Sequence, residues 1–145
     1  MDHEFAPKII KIHKNKDNRG FFQEILKTSQ VPEKIEQISI SETYPGVIKA
    51  FHKHEHQWDY WYLISGNIEA KLVHEKHQIP LSYYLSGDDD VILVIPPYWY
   101  HGYKVLGNTP AKMLYMVSTE YNPDSPDEEK ISPYSYGVTW DTENR

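Results

Sequence analysis

His52 and His54 flank a single lysine, Asp59 follows a few residues on, and His101 lies in a separate run. Side chains two apart on a strand share a face, so both imidazoles of His52-Lys53-His54 can point to one side of a sheet. Three imidazoles and one carboxylate support two kinds of chemistry. An imidazole can act as general base on a carbon acid beside a carbonyl. His52, His54, Asp59 and His101 also make a donor set for a divalent transition metal, the carboxylate supplying charge. A third reading leaves them as the polar lining of a ligand cavity that never holds an ion. His56 reads as a loop residue off the strand face, and His74 and His77 as members of a charged loop.

Strands must position these groups, because helical periodicity is nearly absent; the best helical candidate, around Pro32 to Ile40, is short. Ile9 to Ile12, Phe21 to Leu26, Gln37 to Ser41, Val47 to His54 and Tyr60 to Ile64 each predict a strand. Ile68 to Val73, Val91 to Ile95, Gly102 to Leu106 and Lys112 to Ser118 complete the set. Ser65-Gly66-Asn67 predicts a tight hairpin with glycine at positive φ. Many short strands with turn chemistry between them indicate an all-β sandwich or barrel. One domain over residues 1–145 is expected, with an irregular tail from about residue 122 pinned by Tyr134, Tyr136 and Trp140.

Composition narrows the function classes. A net charge of -6 argues against a nucleic-acid coat, which needs a clustered positive surface. The acid runs Asp88-Asp89-Asp90 and Asp124 to Glu129 read as solvated loop charge. Without cysteine there is no disulfide, thiolate metal site or cysteine nucleophile. Met1 to Glu4 does not read as a signal peptide, and Val91 to Ile95, the longest aliphatic run, is far too short to span a membrane. A cytoplasmic protein without membrane or nucleic-acid partners is the expectation.

The spacing from Gly46 through His52-Lys53-His54 and Asp59 to Gly66 resembles the first cupin motif, with aspartate in the usual glutamate position. Pro96-Pro97-Tyr98-Trp99-Tyr100-His101 resembles the second, with Tyr98 where glycine is common. The likeness implies a double-stranded β-helix jelly-roll barrel. Asp17-Asn18-Arg19-Gly20-Phe21-Phe22-Gln23-Glu24 is similar to a signature of the dTDP-4-dehydrorhamnose 3,5-epimerase family, a metal-independent cupin branch acting on nucleotide-linked keto sugars. Gln37 to Ser41, Gly46 to His52, His101-Gly102-Tyr103, Leu114-Tyr115, Thr119 to Pro123 and Gly137 to Trp140 extend the resemblance in order along most of the chain.

This resemblance implies His52 as the general base beside the sugar's 4-keto group and Tyr115 as the acid on the opposite face. Tyr115 also has a rival reading as a core residue. Arg19 and Glu24 match positions that contact the nucleotide or its diphosphate, Gln37 and Lys49 match substrate-lining positions, and His101 lies in the same cavity. A homodimer is implied, with an N-terminal strand adding to the partner's sheet, and no cofactor. Five departures stand out, one of them Ala70 where the family carries an aspartate in the second strand of the hairpin. Lys49 replaces an arginine, and on a regular strand it would share a face with Phe51 rather than His52 unless a bulge intervenes. Asp59 replaces the lysine that stabilises the enolate. His54 replaces a glutamine. The chain as printed ends at Arg145, leaving no counterpart for the aspartate that orients the base. The leading expectation is an epimerase or isomerase of a nucleotide-linked 4-keto-6-deoxy sugar. The alternatives are a metal-dependent cupin enzyme using His52, His54, Asp59 and His101, and a non-catalytic sugar or nucleotide-sugar binding cupin.

Overall fold

Residues 5–142 are described by the structure, a computed structural model. Short runs of β-branched and aromatic residues, closed by glycine- and proline-bearing turns, form strands and no α-helix among these residues. In chain order they are β1 (Lys8–Lys11), β2 (Asn15–Asp17), β3 (Gly20–Phe22), β4 (Gln37–Thr43), β5 (Ile48–Lys53) and β6 (Asp59–Ser65). They continue as β7 (Asn67–His74), β8 (Leu81–Ser86), β9 (Val91–Ile95), β10 (Trp99–Leu106), β11 (Ala111–Val117) and β12 (Glu129–Lys130). One sheet has the order β1-β9-β6-β11-β4 and the other β12-β5-β10-β7-β8, with β2 and β3 as a separate hairpin. The two five-stranded antiparallel sheets form the all-β jelly roll of the cupin class.

Period-two alternation sorts the side chains into layers. Trp61, Leu63, Leu72, Leu93, Ile95, Val105 and Met113 fill the space between the sheets. Tyr60, Tyr62, Ile92 and Val94 point the other way and are covered by Ile25, Leu26, Val31 and Ile35 from the segment between β3 and β4. On the back of the second sheet, Phe51, Val73 and Tyr100 are covered by Val138, Trp140 and Tyr136 of the tail. Both faces of β6 are therefore apolar, and residues 59–63 are all buried. Trp140 donates its indole N–H to the Pro133 carbonyl and packs on Phe51, which pins the tail as expected; Tyr134, by contrast, is exposed.

Three expectations are corrected. The helix around Pro32 to Ile40 does not form: the stretch bends and then enters β4, whose outward Ile38 and Ile40 follow strand rather than helical spacing. Gly66 has the expected positive φ of 88°, but Ser65-Gly66-Asn67 is no hairpin. β6 pairs in the first sheet and β7 in the second, so the turn is a corner between sheets. A Cβ on Gly66 would lie 2.5 Å from the Pro110 carbonyl oxygen, so the corner requires glycine twice over. Finally, β8 carries a strand that the serine- and tyrosine-rich sequence did not signal, and His74 is a buried residue ending β7 rather than part of a loop.

Candidate active site

The cavity opens between the sheets at the end where β5 meets β10. His101 pairs with His52 and Tyr103 with Lys49, so Ala50 and Phe51 on β5 oppose Gly102 alone on β10. That bulge adds one residue to β5 and reverses its parity. Lys49 and His52 consequently both line the cavity, while Phe51 and Lys53 face the back of the sheet. Gly102 makes the bulge possible, since a Cβ there would stand 2.3 Å from that of Ala50.

On the cavity floor, Asp59 at the start of β6 lies 3.7 Å from His54 Nε2 through one oxygen and 3.7 Å from His101 Nε2 through the other. The ligand atoms of His54, Asp59 and His101 all fall within 4.8 Å of one another. Both imidazoles have their far nitrogen committed. His101 Nδ1 faces the Trp99 carbonyl at 3.1 Å and His54 Nδ1 the Asp127 carbonyl at 2.5 Å. A carbonyl only accepts, so each neutral ring carries its proton on Nδ1 and turns the Nε2 lone pair toward Asp59. Burial pushes His101 down to about 4, against the upward pull of Asp59, which keeps that ring neutral near pH 7. Gln57 and Trp61, two residues either side of Asp59, donate to its two oxygens at 2.8 and 3.2 Å. Thr119 donates to the Gln57 carbonyl oxygen, which turns the amide nitrogen to Asp59. Three electron-pair donors thus converge within a shell of hydrogen bonds, a donor set suited to a divalent transition metal. His52 stands outside this trio, with its ring centre 6.4 Å from that of His101.

Tyr115 reaches the cavity from β11 in the opposite sheet. Its hydroxyl accepts from Ser41 at 3.0 Å and lies 2.7 Å from that of Tyr103, which in turn meets Thr43. Burial, and then the neighbouring Tyr103, push the phenol of Tyr115 well above its ordinary value, so it holds its proton. Trp61 packs edge-on against Tyr115, Tyr103 and His101, walling the floor.

The rim is built by the tail. Asp127 accepts backbone N–H bonds from Glu55, His56 and Gln57 at 2.9 to 3.0 Å, and these overcome burial to hold its carboxyl below the usual range. Glu128 reaches His52 Nδ1 at 3.0 Å. Glu129 pairs through β12 with Lys53, beside the hydroxyl of Tyr100. These residues are therefore parts of the cavity wall and its anchorage, not solvated loop charge. His56 sits in the loop between β5 and β6, as expected, and from there lines the cavity.

The structure thus brings Gln37, Lys49, His52, His101 and Tyr115 around one cavity of about 460 Å³. Arg19 and Glu24 do not line it. The Arg19 guanidinium is exposed on the β2–β3 hairpin and paired with Asp17, while Glu24 pairs with Lys27. Sequence reasoning missed Gln57, Trp61, Tyr103, Thr119, Asp127 and Glu128. Strand parity from Asp59 points to Trp61 and from His101 to Tyr103; nothing local signals Gln57, Thr119, Asp127 and Glu128.

A family model described as the polysaccharide biosynthesis C-terminal domain matches residues 15–129. The chain belongs to this family. It is 39% identical over 146 residues to the spore coat polysaccharide biosynthesis protein SpsL of Bacillus subtilis (strain 168), covering 95% of this chain and 97% of SpsL. It is 30% identical over 128 residues to the probable low-salt glycan biosynthesis epimerase Agl13 of Haloferax volcanii, covering 83% of this chain and 81% of Agl13. Among solved structures, dTDP-6-deoxy-D-glucose-3,5-epimerase RmlC from Legionella pneumophila, in complex with dTDP-4-keto-L-rhamnose, superposes with a TM-score of 0.81 at 22% identity. That match covers 92% of this chain and 78% of the Legionella chain, and it speaks to the fold. As a member of the polysaccharide biosynthesis C-terminal domain family with an RmlC-like barrel, the chain bears out the recognition drawn from its motifs.

Proposed function

We propose that this protein is an epimerase or isomerase of a nucleotide-linked 4-keto-6-deoxy sugar, acting by removal and return of the proton beside the keto group. The observation that carries this reading is that His52 and Tyr115 line one cavity from opposite sheets. His52, its Nδ1 engaged by Glu128, keeps Nε2 for the carbon-bound proton. Lys49 and the Tyr103 hydroxyl line the same cavity, and in this reading they offset negative charge growing on the keto oxygen. Tyr115 then delivers its phenolic proton to the other face of the same carbon. A cavity of about 460 Å³ suits a small ligand, and the relatives include a probable epimerase and a barrel holding a dTDP-linked keto sugar. The test is solvent deuterium uptake by a panel of nucleotide-linked keto sugars. Uptake that disappears in His52→Ala supports the reading, and no uptake from any of the panel rejects it.

A homodimer working in the cytoplasm completes this proposal. Arg19 and Glu24 stand outside their own cavity, on and just after a hairpin that also exposes Phe21 and Phe22, so we propose that they serve a second copy. Sedimentation as a dimer, with Arg19→Ala raising KM at unchanged fold, is the expected result; a monomer of full activity would reject it.

A second reading is favoured by the convergence of His54, Asp59 and His101: an epimerase or related cupin enzyme that depends on a metal ion. Such an ion would polarise the keto oxygen as a Lewis acid and neutralise Asp59, which otherwise opposes an enolate. The chain's own contribution is to hold the two Nε2 lone pairs and the carboxylate in place. Elemental analysis of protein purified without a metal-affinity tag decides it. Stoichiometric metal lost in His54→Ala and His101→Ala supports this reading, and metal-free protein that turns over removes it.

A further inference from the structure

We infer that the tripeptide Asp127-Glu128-Glu129 is the positioning element of the cavity, and that Glu128 is the residue that orients His52 as base. The inference rests on the epimerase reading for its catalytic part and on geometry for the rest.

The three acids do different work because the chain passes here from a loop into β12 and sends them to different places. Glu129 goes to the back of the second sheet, where Lys53 and the Tyr100 hydroxyl meet it. Asp127, one residue before Glu128, closes on three consecutive backbone N–H groups of residues 55–57. Backbone bonds in both directions between Ile131 and Phe51 continue the pairing beyond β12. With both neighbours fixed, Glu128 is left to face the cavity opposite His52, and its second oxygen lies 3.8 Å from Lys130. An acid run serving only solubility would have no such anchors.

The same segment treats the two histidines differently. His54 Nδ1 meets a neutral carbonyl, that of Asp127, whereas His52 Nδ1 meets a carboxylate. Both partners accept, so both neutral rings carry the proton on Nδ1 and free Nε2. Only Glu128, however, brings a charge that offsets the imidazolium formed once His52 has taken a proton. One short segment thereby separates a proton-handling histidine from one that offers a lone pair to the floor.

Ring-nitrogen NMR of His52, at mildly alkaline pH on the full chain, reads the tautomer without substrate. The parent should carry the proton on Nδ1. Glu128→Gln, whose amide oxygen still accepts, should keep that tautomer, and Glu128→Ala should lose it. Glu128 is one-third exposed, so neither change opens a core cavity. With a nucleotide-linked keto sugar, Glu128→Ala should lower kcat on the order of 100-fold at nearly constant KM, with Glu128→Gln between. A His52 tautomer identical in Glu128→Ala and the parent overturns the inference, as does an unmoved kcat. A Glu128-dependent tautomer in a protein that exchanges no proton with any keto sugar supports the positioning role and sinks the epimerase reading instead.

Discussion

The floor and the rim of the cavity are ordered by different means. His101 is held by the Trp99 carbonyl two residues back on its own strand, and Asp59 by Gln57 and Trp61 two residues to either side. Tyr115 is held by Ser41 from the adjoining β4 and by Tyr103 from β10 of the facing sheet. His52 and His54, by contrast, are held by residues 76 and 73 positions away along the chain. The floor therefore comes with the jelly roll, while the rim depends on docking of the tail. Asp59, His101 and Tyr115 can stay ordered through changes that disorder the base, but metal capture cannot, because His54 takes its order from Asp127 of the tail.

Perturbations can break this contrast, beginning with the strongest. Trp61→Ala removes a buried ring and a donor to Asp59, and should cost about 3–5 kcal/mol in urea denaturation while abolishing floor functions. The next effect is electrostatic. His101 titrates near 6.5 when unfolded and near 4 when folded, so between those values the unfolded chain binds the extra proton. Stability of the metal-free protein should be complete above about pH 6.5 and fall by about 3 kcal/mol at most as pH drops toward 4. His101→Gln should flatten the urea midpoint across that window, and an unchanged slope would show that burial of this ring is not the cause.

Gly102→Ala probes the junction of the two regions. Its new methyl group must displace Ala50, at about 1–3 kcal/mol, and should turn Lys49 or His52 out of the cavity. The expected signature is loss of solvent exchange far exceeding the loss of stability. The mildest change is Asp127→Ala, which frees three N–H groups at about 1–2 kcal/mol in total, discounted for their exposure. Amide hydrogen exchange should accelerate at residues 55–57 and leave β6 and β9 protected; uniform acceleration would mean that floor and rim are one cooperative unit.

Much of the histidine constellation is legible in the chain itself. The spacing of His52, His54 and His101 brings the three together at one cavity, His54 just beyond the end of β5, and the Gly66 turn announces its positive φ. What could not be read depends on partners chosen in three dimensions. Lys49 joins His52 only because two residues of β5 face one glycine of β10, which no pattern within β5 reveals. The corner at Gly66 has the chemistry of a hairpin turn, and only pairing tells them apart. β8 escaped notice because Ser82, Tyr83 and Tyr84 leave much of it exposed. Asp127 and Glu128 sit in a proline-bracketed acid run whose composition signals solvent, and their role exists only once β12 docks on β5.

The most direct test separates proton removal from proton return. In deuterated solvent, the parent should incorporate deuterium at a carbon beside the keto group and invert it. Tyr115→Phe should still exchange but invert poorly, and His52→Ala should do neither. Exchange that persists at the parent rate in His52→Ala would contradict the assignment of His52 as the base.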